Sequence, residues 1–480
     1  MSFRTKLPAL NPTSSNARPL AVLVAARLPD VDAAASDASL DELARLVTTL
    51  GYDVHERIVQ ARHSLAPAAV LGEGKLKELA KLTGGTGNTH PILPGGKKNT
   101  GRAEDDEDAE PSDDANDLDD DDDAEPSDDV ERAERPKIAL VAVDHDISPS
   151  QLRNLERACG VPVLDRTGII IEIFHRHARS REARLQVEIA RLAYEAPRLR
   201  ESPKGKEKQA GRGAGEAALE LDRRKIRDRI AELRRELVAI QREQDVRRQH
   251  RRGARRVALV GYTNAGKSSL MRALTSSEVY VEDKLFATLD TTVRALSPEA
   301  KPRILVSDTV GFIKKLPHDL VASFKSTLDE ALEASLLLHV VDASDPSFRE
   351  QLEVTRDVLR EIGADQVPGR LIMNKIDQLS PQALAELEAE MLDVWPNSPA
   401  WFISAKRPED VKSVRARIID FFESRYAEAE LTVPYNEQRL VSEMHEQGRV
   451  VSERYEDDGV KVRFRSDPEV LDSFRARLRG

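Results

Sequence analysis

A single cysteine, Cys159, stands in 480 residues, which excludes an internal disulfide framework and a cysteine-ligated structural zinc site. Aromatic residues are scarce, at 4% of the chain. No apolar run approaches the roughly 18 residues that would span a bilayer. The opening MSFRTKLPALNPTSSN has no apolar signal core. With 33% charged residues, these absences predict a soluble, helix-rich protein of the reducing cytoplasm. Its length predicts two to four domains.

Basic residues are missing from one stretch. Residues 104–129 hold seventeen acidic side chains and no Lys or Arg, and without them the formal net charge of −11 becomes +6. A mildly basic body fits a nucleic-acid partner, and it equally fits basic residues that solvate helix faces. From about Gly84 to Arg135 the chain is Gly-, Asn- and Pro-rich and then acidic, with little to bury. Such a segment cannot offset its ordering entropy and predicts a disordered insertion, 84–135, inside a domain.

Around that insertion the punctuation is α/β. Leu20–Ala25, Val54–Val59, Ile138–Asp144 and Val161–Leu164 read as strands. Helices are expected with Leu40, Leu43, Val47 and Leu50 on one face, over Ala68–Lys81, from Ser148-Pro149-Ser150, and over Gly168–Arg179. After a short tail, 1–18, this makes an N-terminal α/β domain over 19–180.

Two long helical patterns follow over 181–252. Leu185, Ile189, Leu192, Ala196 and Leu199 step by 4, 3, 4, 3, and Ile226, Ile230, Leu233, Leu237 and Ile240 repeat the stepping. The pattern predicts an antiparallel hairpin zipped along a narrow seam, with a Gly/Lys-rich tip at 201–220. Arms of roughly 15–20 residues would project ~25–30 Å. Outward positions of the second arm carry Arg223, Arg224, Arg227, Arg234, Arg235 and Arg242, and the excess grows towards Arg247–Arg256. Such a rod suits phosphate contacts with RNA; a rigid spacer is the plainer alternative.

The most specific pattern begins at Gly261. After the buried strand Val257–Val260 comes Gly261-Tyr262-Thr263-Asn264-Ala265-Gly266-Lys267-Ser268, a phosphate loop whose glycines let backbone amides wrap a phosphate chain. Lys267 would reach the β- and γ-phosphates and Ser268 would bind Mg2+. Base choice rests on Asn374-Lys375-Ile376-Asp377. A carboxylate at Asp377 accepts from N1–H and N2–H of guanine, and adenine has no such donor pair. Ser404-Ala405-Lys406 fits the loop whose amide meets guanine O6. Asp308-Thr309-Val310-Gly311 would sense the γ-phosphate, with Asp308 holding Mg2+ through water. In Phe286-Ala287-Thr288-Leu289-Asp290, Thr288 is the chosen switch threonine on Mg2+, with Thr291 and Thr292 as competitors. Lys267, Thr288, Asp308 and Gly311 are thus the expected catalytic set, in a domain spanning 253–427 that binds GTP and GDP.

Phe312 occupies the position where Ras-like GTPases put a water-orienting glutamine, so slow intrinsic hydrolysis is expected. In some GTPases an asparagine in the phosphate loop ligates potassium. Asn264 is therefore a candidate for K+ as a second cation, against ordinary turn chemistry.

The chain resembles the HflX family of ribosome-associated GTPases, of the translation-factor class, over most of its length apart from the insertion. Leu164–Phe174, Ala178–Glu188 and Leu221–Ile230 carry the resemblance, together with Phe286–Asp290, Asp308–Ile313 and Leu316-Pro317. It implies a P-loop GTPase domain preceded by an N-terminal α/β domain with the helical hairpin. It also implies binding to the large ribosomal subunit and its rRNA, GTP hydrolysis stimulated there, and a part in splitting stalled ribosomes or in subunit maturation. It supports Thr288 as the Mg2+ threonine. Two departures stand out: Gly213–Leu219 reads GAGEAAL where the family has a G-P-G-E-T-Q loop, and Thr291 follows Asp290 where proline is common.

Residues 430–480 read as a small α+β domain, with strands Leu431–Pro434, Val450–Tyr455 and Val460–Arg465, helices Glu437–His445 and Pro468–Leu478, and a turn at Asp458-Gly459. The whole is expected to act as a monomer. Two rival readings remain: an assembly chaperone gated by GTP, and ATP-dependent RNA remodelling by the N-terminal domain, for which Gly72-Glu73-Gly74-Lys75 is a weak phosphate signal.

Overall fold

The computed structural model describes residues 18–65, 69–89, 136–199, 213–249, 255–276, 285–286, 288–289, 292–314, 325–394 and 400–479. Most of the acidic insertion, the tip residues 201–212, Ala287, Asp290, Thr291, Leu316-Pro317 and Arg247–Arg252 as side chains lie outside these. The chain divides into two compact units, 1–166 and 167–480.

The first unit is an α/β layer. Its strands β1 (Leu20–Arg27), β2 (Asp53–Ala61), β3 (Ile138–Val143) and β4 (Val163–Asp165) run parallel in the order β2-β1-β3-β4. The continuous apolar runs of β1 and β3 are what strands covered on both faces require. Helix α1 (Ala33–Thr49) starts where the Asp32 side chain accepts from Ala35 N, and it buries Leu40, Leu43, Leu46 and Val47. Helix α2 (Glu73–Thr83) ends on Gly84, whose φ of +77° closes the last turn. In α3 (Pro149–Cys159) Ser148 and Gln151 form a capping box, and Gly160 caps the other end.

Two expectations for this unit change. The insertion was expected from Gly84, but Gly87 N donates to Ala158 O at 3.0 Å, so residues 84–89 run along the end of α3. Gly74 lies inside α2, Gly72 N donates to Gln60 Oε1, and Lys75 pairs with Glu78. That stretch is the first turn of a helix. Nor did the residue pattern flag Arg166: at 1% exposure its guanidinium pairs with Glu42 and with Asp144 Oδ1 at 2.9 Å. A buried cation demands such partners.

The second unit opens with α4 (Arg166–His177), whose first residue belongs to the first unit, then α5 (Arg181–Glu195) and α6 (Gly213–Gln249). Arg181 pairs with Glu236 at 3.3 Å, and Glu188 acts electrostatically on Arg229, so α5 and α6 run antiparallel. Ile226 and Leu233 are buried on their seam. The second arm is longer than expected: α6 has 37 residues, about 55 Å at 1.5 Å each. Gly213–Glu220, expected as tip, is helical because Ala, Glu and Leu outweigh its two glycines.

A six-stranded sheet follows, built from β5 (Arg255–Gly261), β6 (Thr292–Ala295), β7 (Ile304–Asp308), β8 (Leu336–Asp342), β9 (Gly369–Asn374) and β10 (Trp401–Phe402). Its order is β10-β9-β8-β5-β7-β6, parallel except for β6. Val257 and Leu259 of β5 pack with α7 (Lys267–Thr275) and α11 (Pro408–Glu423). Ala258 and Val260 pack on the opposite face with α8 (Lys325–Leu332) and α9 (Phe348–Glu361), and α9 shares a further cluster with α10 (Pro381–Val394). Helices on both faces leave the C-terminal ends of the central strands free to carry loops.

Last come β11 (Ala427–Val433), β12 (Arg449–Glu456) and β13 (Gly459–Ser466), antiparallel in the order β11-β13-β12. Helices α12 (Arg439–Gln447) and α13 (Pro468–Arg479) pack over their apolar residues. Glu456 pairs with Gly459, so the hairpin turn is Asp457-Asp458, one residue earlier than expected. Gly459, with φ +150°, opens β13 against Val433 O, where a Cβ would sit at 2.4 Å.

Candidate functional site

The loop from Gly261 to Ser268 leaves the end of β5, the strand flanked by β8 and β7. Gly261 has φ +149°, and a Cβ there would lie 2.1 Å from Val340 O, so only glycine lets the chain turn against β8. Gly266, at φ +93°, precedes α7, whose first amides point into the loop. Asn264 is exposed at φ +59°. Thr263 N donates to Phe312 O at 2.8 Å and Phe312 N to Gly261 O at 3.1 Å, which zips the loop to Asp308–Phe312. The Phe312 ring lies in the core beside Ala258, Val260 and Ala331, where it has nothing to offer water.

Lys267 is buried and donates to Gly261 O and Tyr262 O, at 3.1 and 2.8 Å. Burial pulls its pKa down to about 8, and the Asp308 charge opposes that shift. The same burial raises the Asp308 carboxyl, and Lys267 opposes it. Asp308 Oδ2 accepts from Ser268 at 2.6 Å and from Thr288 at 2.9 Å, while Oδ1 is buried and, among the described residues, makes no side-chain hydrogen bond. Ser268 and Thr288 hydroxyls are themselves 2.9 Å apart. Of the competing threonines, Thr292 sits in β6 opposite Asp308 in the ladder. Gly311 is walled in: a Cβ would meet Thr263 Cα at 2.9 Å and Lys267 Nζ at 3.0 Å. Thr309 donates to Leu259 O at 2.7 Å and Val310 is buried.

At the end of β9, Asn374 joins two loops. Its Nδ2 donates to Ala265 O at 2.9 Å and its Oδ1 accepts from Ala405 N at 3.0 Å. Lys375, at φ +64°, reaches Asp342 Oδ2 at 2.7 Å, and Ile376 N bonds Ile403 O. Asp377 Oδ1 accepts from Ser404 Oγ at 2.7 Å, a bond that lowers its pKa, and Lys406 lies 3.5 Å from Oδ2. Asp410 holds the Ser404 amide at 2.8 Å. Motif reading missed Asp342 and Asp410. Asp342 was legible as a carboxylate ending a buried strand, whereas Asp410 carries no sequence signal of its contact.

In and beside the Phe286–Asp290 segment, Leu285, Phe286 and Leu289 are buried. Phe286 has φ +57°, an outlier for a bulky residue, and its ring meets Phe174 of α4 edge-on at 4.6 Å.

Three family models match consecutive stretches: GTP-binding GTPase N-terminal over 37–90 and 128–175, GTP-binding GTPase Middle Region over 177–251, and 50S ribosome-binding GTPase over 256–375. The GTPase HflX of Gluconacetobacter diazotrophicus is 57% identical over 465 residues, covering 96% of this chain and 98% of its own. That of Escherichia coli is 41% identical over 342 residues, 69% of this chain and 79% of its own. A GTP-binding protein of Sulfolobus solfataricus solved with GDP aligns with a TM-score of 0.42 at 22% identity, over 83% of this chain and 99% of that one. No helix among the described residues is long and apolar enough to cross a membrane. On the strength of the two bacterial relatives and the three matched models, the chain belongs to the HflX family of GTPases.

Proposed function

We propose that this GTPase is a cytoplasmic, Mg2+-dependent switch that docks on the large ribosomal subunit and couples GTP hydrolysis to its release. The observation that carries the ribosomal part is the match of 256–375 to a model described as a 50S ribosome-binding GTPase. Helix α6 supports it: Arg223, Arg224 and Arg234 are exposed and, among the described residues, make no ion pair. Lys and Arg on such a rod meet RNA phosphates through counterion release.

Within the site, the loop amides and Lys267 hold the phosphates, Thr288 and the Gly311 amide sense the γ-phosphate, and Asp377 selects guanine. Ser268, Thr288 and Asp308 fit a magnesium ion. The Ser268 and Thr288 hydroxyls lie together with the Asp308 carboxylate against both, a set of hard oxygen donors that would hold the ion. The buried Asp308 Oδ1 would offer a further acceptor to water on the ion. When bound, the ion neutralises charge on the β- and γ-oxygens. Beside phosphate Lys267 holds its proton more firmly, since the anion offsets the desolvation that lowers its pKa. Asp308 orients both hydroxyls by accepting from them. Catalysis is thus positioning and electrostatics, and with Phe312 buried the water-ordering group comes from elsewhere.

Co-sedimentation with purified large subunits tests the docking. The intact chain with a non-hydrolysable GTP analogue should pellet with subunits, and with GDP it should not; equal behaviour in both states would sink the switch reading. A faster rate in potassium than in sodium is expected if Asn264 holds a cation, and equal rates remove that role.

A further inference from the structure

We infer that Phe174 of α4 is a positioning residue for nucleotide discrimination: it clasps Phe286, pre-docks Thr288 against Ser268 and Asp308, and so biases the site towards the triphosphate. Four observations meet here. Phe174 is fully buried, on a helix that carries none of the residues assigned above to phosphate or base. Its ring meets Phe286 edge-on at 4.6 Å with 71° between planes, a favourable aromatic geometry. Phe286 holds a left-handed backbone, φ +57°, that a bulky side chain adopts only when its surroundings impose it. Two residues later, the Thr288 hydroxyl already sits 2.9 Å from both Ser268 Oγ and Asp308 Oδ2.

The physical sense is entropic. A switch loop that orders only on triphosphate binding weakens that binding by its ordering cost, whereas GDP, with no γ-phosphate to meet Thr288, is indifferent to it. An aromatic clasp that fixes Phe286 in its strained conformation places part of that cost in the folded protein. The competent state is then populated before nucleotide arrives, and apparent triphosphate affinity rises in proportion. This rests on the reading of Thr288 as the γ-phosphate sensor.

The test uses the full chain and a fluorescent pair, GDP and guanosine β,γ-imidotriphosphate, each titrated with Mg2+ present. Phe174→Ala should weaken the imidotriphosphate about tenfold and leave GDP within twofold. Phe174→Leu, which refills most of the volume, should recover most of the loss. Phe286→Ala should reproduce the effect, and the double variant should be no worse than either single one. Equal weakening of both nucleotides, no weakening of either, or additive losses would overturn the clasp. Thr288→Ala separates the two ideas. If it abolishes the discrimination while Phe174→Ala does not, only the clasp fails; if it too leaves discrimination intact, the sensor reading fails with it.

Discussion

On the proposed reading Asp377 concentrates base choice in one carboxylate, which Ser404 already orients. Replacing it by Asn trades an acceptor for a donor opposite the guanine N1–H and N2–H. Asp377→Asn should lose GTP affinity on the order of a hundredfold and gain affinity for xanthosine triphosphate, whose added carbonyl suits the new amide. Competition binding with both nucleotides checks the swap, and unchanged GTP affinity would clear Asp377 of the role. Lys267 predicts a pH dependence. Its nucleotide-free pKa of about 8 lies below that of a phosphate-bound ammonium, so binding takes up a proton above that pH. Nucleotide affinity should be flat below about pH 8 and fall as pH rises through it, by up to tenfold per unit. At this scale legibility was high where chemistry needs fixed residue types in tight spacing. It failed for Phe174 and Arg166, whose partners Phe286, Glu42 and Asp144 are far away along the chain and announce no pairing.

Elements were readable where a local signal starts or stops them. The Ser148-Pro149-Ser150 start of α3 is a capping box whose two bonds are both made, and Gly160 ends that helix at φ +69°. Ser148→Ala should therefore cost about 1 kcal/mol, lowering the melting point of the first unit by roughly 3–5 °C, as read by calorimetry. A shift under a degree would mean the cap is replaceable by water. Boundaries failed where a weak local signal was overruled. The glycines of Gly213–Glu220 suggested a tip, yet the helix formers between them extend α6. Asp458-Gly459 looked like the hairpin turn, but register in an antiparallel pair is set by which residues face the core. Val460, Val462 and Phe464 all pack inward, which pulls Gly459 into the strand and leaves Asp457-Asp458 to turn.

For the whole molecule, the guanine-nucleotide site and the arginine-bearing helix are parts of one working device in this account. A basic rod alone is a spacer, and a slow GTPase alone is a poor enzyme, whereas together they make hydrolysis conditional on the surface the rod meets. Separate measurements of either part cannot reveal that dependence. The most direct test is steady-state GTP turnover with and without large ribosomal subunits, for the intact chain and for Arg223→Glu/Arg224→Glu/Arg234→Glu. The account predicts slow basal turnover in both, strong stimulation of the intact chain by subunits, and stimulation cut at least tenfold in the variant with basal rate unchanged. Equal turnover with and without subunits in the intact chain would contradict it.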